Sequence, residues 1–393
     1  MNPGNHRPAA YDPLPTLLDS PNSYPQKLDL VRSCILQIEL DEPAYRAASF
    51  LDDRILGPGT KGAWLPTERV AAAARLAHKP QPLHFILHTG HVGSTLLSRL
   101  LETTGSVLSL REPLPLRTLA EASDVLGQPE SLLSEPQFEL VLDTFVRLWS
   151  RGFTTTRCVV LKATSAAARV APCLLRRNAA SRAVYLNLRA EPYLATLLAG
   201  LNSPVDLRGH GAERMRRLLT RIATPLEPLH ALTPGELTAM SWLAESLTRR
   251  EILDQWPGRV LAVDFDVFLG DLPGVMQPIV DHLELPADPG WLAQLGSSPA
   301  LARYSKSPDH EYSPALRAQV LDQARREHGA RKSGAGSRGW MLARTESAVA
   351  RVLDRRFRVV DHMRIRFWRT TSSRTRLSQF ILSPSSAAIS FNS

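Results

Sequence analysis

The sequence predicts a three-layer α/β protein, a mainly parallel sheet with helices on both faces, preceded by a helical N-terminal segment and carrying a helical insertion. Three observations predict it. Short apolar runs, LHFIL (83–87), SVLSL (106–110), RCVVLKA (157–163), RAVYLNL (182–188) and RVLAVDF (259–265), lack the polar alternation of a half-exposed sheet. Helical patterns separate several of them, and alternation of strand and helix builds a parallel sheet covered on both sides. The first run meets two glycines and becomes an amphipathic helix opening on Ser94 and Thr95.

Residues 1–26 are rich in Pro, Asn and Asp and are expected to lack regular structure. QKLDLVRSCILQIEL and PAYRAASFLDDRIL have apolar spacing compatible with helices, and TERVAAAARLA reads as a helix with Thr67 as its N-cap. These form an N-terminal helical segment, 1–80, ending at the break KPQP. The α/β domain spans 81–332. Its first strand, LHFIL, leads to a helix from about Ser94 to Thr103, and AAARVAPCLLRRNA is helical between the third and fourth strands. ERMRRLLTRIATPL and ELTAMSWLAESLTRREILDQW make a lid or insertion at about 201–255, and LPGVMQPIVDHLEL is the helix after the last strand. GAGSRG begins a flexible basic tail, 333–393.

Charge and cysteine usage narrow the function. The formal charge is +9, but the residues from Ser347 onward hold nine arginines and two aspartates, or +7, which leaves +2 for residues 1–346. A nearly neutral body does not imply a nucleic-acid surface. Cys34, Cys158 and Cys173 have no CxxC spacing, so neither a disulfide framework nor a zinc site is encoded. With no leader-like N-terminus and no run of about 18 apolar residues, the expectation is a soluble, cytoplasmic protein without a transmembrane segment.

The turn HTGHVGSTLL carries the chemistry. A strand ending in a glycine turn and leading into a helix aims backbone N–H groups and the positive end of the helix dipole at one point, which attracts phosphate. The hydroxyls of Ser94 and Thr95 add donors. A nucleotide-hydrolysing loop would read GxxxxGK[ST], and the lysine is absent here. The turn therefore suits an anionic group that needs holding more than hydrolysing.

This segment resembles the sulfotransferase family, whose enzymes use 3′-phosphoadenosine-5′-phosphosulfate on a P-loop NTPase-like fold. The family's phosphosulfate loop commonly reads (R/K)SGTTLL, and HVGSTLL matches it at Gly93, Thr95, Leu96 and Leu97, with His91 at the usual basic position and Ser94 replacing the first threonine. Further similarities follow in order. SLREPLPLR places Glu112 where members carry a glutamate near the acceptor, and VVLKATS places Lys162 like a lysine aimed at the transferred group. VYLNLRAEPYLATLL is similar to the strand and turn RDPxxxxxS, with Arg189 and Thr196 in place of the arginine and serine that hold the 3′-phosphate. The resemblance covers about 83–290.

It implies an enzyme that moves a sulfuryl group from this donor to a hydroxyl or amine of a small-molecule or glycan acceptor. Gly90, Val92, Gly93, Ser94 and Thr95 would hold the phosphosulfate, and Arg189 and Thr196 the 3′-phosphate. Glu112 would be the catalytic base, with Lys162 and His91 offsetting charge on the bridging oxygen. For the 3′-phosphate, Arg303 and Lys306, or the lid arginines Arg208, Arg214, Arg216 and Arg217, are further candidates between which the sequence does not choose.

Other readings stay open. A P-loop kinase or nucleotide hydrolase with a degenerate loop would need magnesium at Asp264 or Asp266. A non-catalytic binding module on the same fold is favoured by the weak anion partner His91. His84, His88 and His91 lack a carboxylate spaced to complete a metal site, and no metal is expected.

Overall fold

In the computed structural model the described residues are 20–76, 80–200, 203–222, 225–288, 290–303 and 312–329. Residues 1–19, Lys306 and the basic tail lie outside them.

The N-terminal segment overturns the helical expectation. Residues 20–66 make a three-stranded antiparallel sheet of β1 (Ser23–Asp29), β2 (Cys34–Glu39) and β3 (Gly62–Pro66), in the order β1-β2-β3. Ile35 and Ile38 are buried three residues apart, which imitates a helical period, but Gln37 between them is buried as well, its Oε1 accepting from Ser23 Oγ at 3.2 Å. Regular structure begins at Ser23, inside the stretch expected to be irregular. Of the second expected helix only α1 (Glu42–Ala47) and a 3-10 turn at Asp53–Ile55 form. Asp41 caps α1 by accepting from Ala44 N at 2.9 Å. Helix α2 (Thr67–Leu76) is as expected, but Thr67 is its first residue and its buried hydroxyl has no partner among the described residues, so it does not cap.

All five apolar runs become strands of one parallel sheet: β4 (Leu83–His88), β5 (Val107–Arg111), β6 (Cys158–Lys162), β7 (Ala183–Asn187) and β8 (Val260–Asp264). Between them run α3 (Ser94–Glu102), α4 (Leu114–Asp124), α5 (Glu135–Trp149), a 3-10 stretch Ser165–Val170 and α6 (Ala171–Arg177). Helix α7 (Ala190–Ala199) follows β7, and the lid region holds α8 (Ser203–Gly209), α9 (Gly211–Leu219) and α10 (Pro234–Gln255). After β8 come α11 (Phe265–Gly270), α12 (Leu272–His282), α13 (Trp291–Gln294) and α14 (Pro314–Gly329). Helices α5 and α10 each start on a capping box, Ser134 with Gln137 and Thr233 with Glu236.

Strand periodicity divides the core. Phe85, Leu87, Leu108, Leu110, Val159 and Leu161 face one layer, packed with α4, α5 and the small N-terminal sheet. Ile86, Val160, Val184 and Leu186 face the other, packed with α3, α7, α10 and α12. The observed fold is therefore the three-layer α/β arrangement, with the N-terminal sheet added to one layer. Among the described residues no helix is long and apolar enough to cross a membrane.

The strand order β5-β6-β4-β7-β8 has a consequence for function. The chain leaves β4 toward β5 on one side and later resumes on the other side at β7. The reversal opens a crevice at the carboxyl end of β4, where ligands bind in open α/β sheets. His88, Glu112, Lys162, Arg189 and Asp264 all stand at or just past that edge.

Candidate functional site

The glycine turn is built for close approach. Gly90, His91 and Gly93 have φ of 101°, 54° and 68°, all left-handed, and His91 is among the residue types that tolerate such a conformation. A Cβ on Gly93 would lie 2.1 Å from Phe265 Cε2, so no larger residue fits there without moving the ring. Val92 is buried in the core and offers the site only its backbone. Helix α3 starts at Ser94, and its first N–H groups have no partner within the helix. Thr89 and Thr95 each bury a hydroxyl oxygen with no partner among the described residues. Orphaned buried donors beside a helix N-terminus fit a bound oxyanion.

His88 braces this turn. Its Nδ1 accepts the Gly90 N–H at 3.0 Å, which leaves the proton on Nε2 to be donated to the Ala163 carbonyl at 2.8 Å. The ring thereby ties the turn to the end of β6. His84 sits four residues back inside β4, where Nδ1 accepts from Arg182 N at 3.1 Å. Burial lowers its pKa to about 4, with Arg182 and His282 adding to the shift. Among the described residues no group of three or more His, Cys, Asp or Glu side chains is placed to hold a metal ion.

Glu112 and Lys162 do converge, from the ends of neighbouring strands. Lys162 is fully buried and donates through Nζ to Glu112 Oε1, while the Glu112 N–H donates to the Lys162 carbonyl at 2.7 Å. Glu112 has φ 54°, a strained conformation for a glutamate, directly before the proline that precedes α4. The loop after α1 covers this pair: Leu51 N donates to Arg111 O at 2.7 Å, and the Phe50 ring centroid is 6.0 Å from Lys162 Nζ. Sequence reasoning assigned that loop no role.

Arg189 stands at the N-cap position of α7 without a side-chain cap bond and is exposed, 3.8 Å from the Asp266 carboxylate. Asp266 also receives Arg317 from α14 at 2.9 Å, and Arg317 lies over the Phe265 ring at 5.2 Å. Thr196 donates its hydroxyl to the Pro192 carbonyl at 2.7 Å, so its proton is already used within its own helix. Asp264 caps α11 by accepting from Asp266 N and Val267 N, a structural use.

The lid arginines divide. Arg208 and Arg216 are exposed, but Arg214 and Arg217 are buried and share Glu245, at 3.2 and 2.8 Å. Arg217 also bonds Glu213, while Arg214 reaches Asp206 at 3.3 Å and Ser165 Oγ at 3.5 Å. Ser165 Oγ and Tyr193 Oη flank Gly90, and Tyr193 shares a hydrogen bond with Ser241 at 3.1 Å. For Asp206, burial alone would raise the pKa, but Arg214, then His91 and His210, hold it below the usual value. Buried Arg214 and Arg217 act as the lid's internal ties, which their place in an amphipathic helix did not disclose. Arg303 lies elsewhere, against the C-terminal half of α3.

No protein-family model matches the chain, and no curated protein matches it. Among solved structures it is similar to the sulfotransferase domain from the curacin biosynthetic pathway, at 15% identity and TM-score 0.37, covering 70% of this chain and 99% of that one. It is also similar to sulfotransferase STF1 from Mycobacterium tuberculosis H37Rv, at 14% identity and TM-score 0.34, covering 65% and 82%. Mouse sulfotransferase SULT7A1 complexed with PAP is a third, at 11% identity and TM-score 0.34, covering 76% and 94%. The chain is similar in structure to sulfotransferases, distantly.

Proposed function

We propose that this chain is a sulfotransferase-like enzyme that moves a sulfuryl group from 3′-phosphoadenosine-5′-phosphosulfate to a hydroxyl or amine of a small-molecule or glycan acceptor. The observation that carries the proposal is the meeting of Glu112 with Lys162 on the same sheet edge as the glycine turn. A carboxylate base and an oxyanion cradle then face one crevice, as a transfer between two oxygens requires.

In this reading the backbone from Gly90 to Thr95, with the hydroxyls of Ser94 and Thr95, holds the phosphosulfate oxygens. Arg189 supports the 3′-phosphate, exchanging its 3.8 Å contact with Asp266 for the ligand. The acceptor oxygen or nitrogen attacks sulfur, its proton passes to Glu112, and the bond from sulfur to the bridging oxygen breaks with the electron pair going to the departing phosphate. Lys162 is buried and bonded to Glu112, so its role is to orient that carboxylate rather than to reach the donor. His91, in the turn itself, offsets charge growing on the bridging oxygen in this reading.

Calorimetric titration with 3′-phosphoadenosine-5′-phosphate, beside ATP with magnesium, tests the donor site. Binding of the former alone, lost in Arg189→Ala, is expected. Binding of ATP with magnesium alone would sink the proposal in favour of a nucleotide kinase or hydrolase, and binding of neither would favour a non-catalytic module. Glu112→Gln is expected to lower turnover while leaving the nucleotide affinity unchanged.

A further inference from the structure

Arg117 is a cation for which the fold supplies no counter-charge. It lies in the first half of α4, five residues after Glu112, and is half-buried. Among the described residues its buried Nε has no hydrogen-bond partner, and no carboxylate pairs with the guanidinium. Glu121, one turn further along α4, is exposed to solvent instead of paired with it. The other carboxylates nearby have cations of their own. Glu112 accepts from Lys162, and Asp124 accepts from Arg169 Nε at 2.9 Å and Arg216 Nη2 at 2.8 Å. In the lid, Arg214 takes Asp206 at 3.3 Å and shares Glu245 with Arg217. A partly buried guanidinium without a counter-charge has lost hydration for nothing in return, and an entering anion recovers that loss.

The elements around Arg117 set it between the base and the lid. Asp124 ties the end of α4 to Arg216 of α9, and Arg117 lies about two turns back from Asp124 on the same face of α4. From that tie α4 leads back to Glu112, at the carboxyl end of β5. Helix α9 leads back to Arg214, which donates to Ser165 Oγ at 3.5 Å beside Gly90, and then to His210 at its N-cap. Arg117 and His210 therefore stand on the two helices at the ends nearer the glycine turn and Glu112. The charge of Arg117 is felt at His210: burial and then Arg214 lower the His210 pKa, Asp206 opposes them, and Arg117 lowers it further. With His210 kept from charging, Arg117 is the cation on this side that an anion can meet.

We infer that Arg117 determines acceptor specificity: the sulfuryl acceptor carries a carboxylate, which pairs with the Arg117 guanidinium while the acceptor's hydroxyl or amine faces Glu112. This inference rests on the sulfuryl-transfer reading and narrows it to hydroxy or amino acids. One planar guanidinium fork matches the two oxygens and single charge of a carboxylate, whereas a phosphate dianion would call for more than one cation. The carboxylate takes no part in bond making. Its pairing fixes the direction from which the nucleophile approaches sulfur, and the nucleophile's proton still passes to Glu112.

Calorimetric titration of the full chain, saturated with 3′-phosphoadenosine-5′-phosphate, tests this with 4-hydroxybenzoate and its uncharged counterpart 4-hydroxybenzamide. The benzoate is expected to bind the wild type about tenfold or more tightly than the amide. Arg117→Gln is expected to erase that preference and Arg117→Lys to restore part of it, while both variants keep the wild-type nucleotide affinity and urea midpoint. The inference is overturned by equal affinities for the two probes, by binding of neither, or by a preference that survives in Arg117→Gln. It is overturned equally by weaker nucleotide binding or a lowered midpoint in Arg117→Gln, which would make Arg117 a donor contact or a structural residue. A wild type that binds no nucleotide defeats the sulfuryl-transfer reading instead. The same titration without nucleotide then decides the carboxylate subsite, upheld by a preference that Arg117→Gln erases and overturned by its absence.

Discussion

The Phe265 ring closes on the backbone of Gly93, leaving 2.1 Å where a methyl group would have to sit. The first residue after β8 thus fixes the shape of the turn after β4, although the two follow strands separated by β7.

Gly93→Ala is therefore expected to destabilise through two separable effects. The left-handed φ of 68° costs an alanine roughly 1 kcal/mol or more, and the ring contact adds a steric term. Urea denaturation of Gly93→Ala with and without Phe265→Leu checks this. The second substitution should recover the steric part only, and complete recovery would show that the backbone conformation costs nothing.

Lys162 and Glu112 form a buried pair, so the two single substitutions are expected to differ. Lys162→Met leaves a carboxylate beside an apolar side chain and should cost about 3–5 kcal/mol at neutral pH. Glu112→Gln keeps an acceptor for the ammonium and should cost less. Equal losses in chemical denaturation would mean that the carboxylate's charge, and not only its oxygen, holds Lys162.

Glu245 holds Arg214 and Arg217 inside the lid. Burial alone would raise its pKa, but the two arginines outweigh burial and hold it below 4.5. A depressed acid stabilises the fold above its unfolded pKa, and that contribution disappears as pH falls through the folded value. The stability difference between wild type and Glu245→Gln, about 3–5 kcal/mol, is expected to be flat from about pH 7 to 5 and to shrink in stronger acid. A difference independent of pH down to 3 would contradict the ion-pair assignment.

His84 predicts a pH dependence at a higher range. Its ring stays neutral in the folded protein down to about pH 4, whereas an unperturbed histidine protonates at 6.5. The unfolded chain binds the proton first, so stability should decline as pH falls from 6.5 to about 4, by up to about 1.4 kcal/mol per unit. His84→Asn, whose amide oxygen can still accept the Arg182 N–H, should abolish that portion of the slope. An unchanged slope in urea midpoints across this range would mean that another group carries it.

The parallel sheet was legible because LHFIL, RCVVLKA and RAVYLNL are buried on both faces, and such a run has few alternatives when glycine, proline or polar turns bound it. The N-terminal sheet was not. In QKLDLVRSCILQIEL the turn at Leu30–Ser33 breaks the pattern, and the buried Ile35 and Ile38 satisfy a helix as well as a strand pressed against a second layer. Strand pairing between residues far apart in the chain leaves no mark in either strand alone.

The sequence by itself determined the order of the parallel-sheet strands, the glycine turn and the placement of Glu112, Lys162 and Arg189 at or just past strand ends. Those are consequences of local burial and of glycine's backbone freedom, which neighbouring residues encode. Only the tertiary structure decided that Lys162 is bonded to Glu112, that Phe265 seals Gly93, and that Arg214 and Arg217 tie the lid while Arg303 lines another recess. An arginine's partner depends on which carboxylate the fold brings within reach, and burial makes that choice from residues distant in the chain.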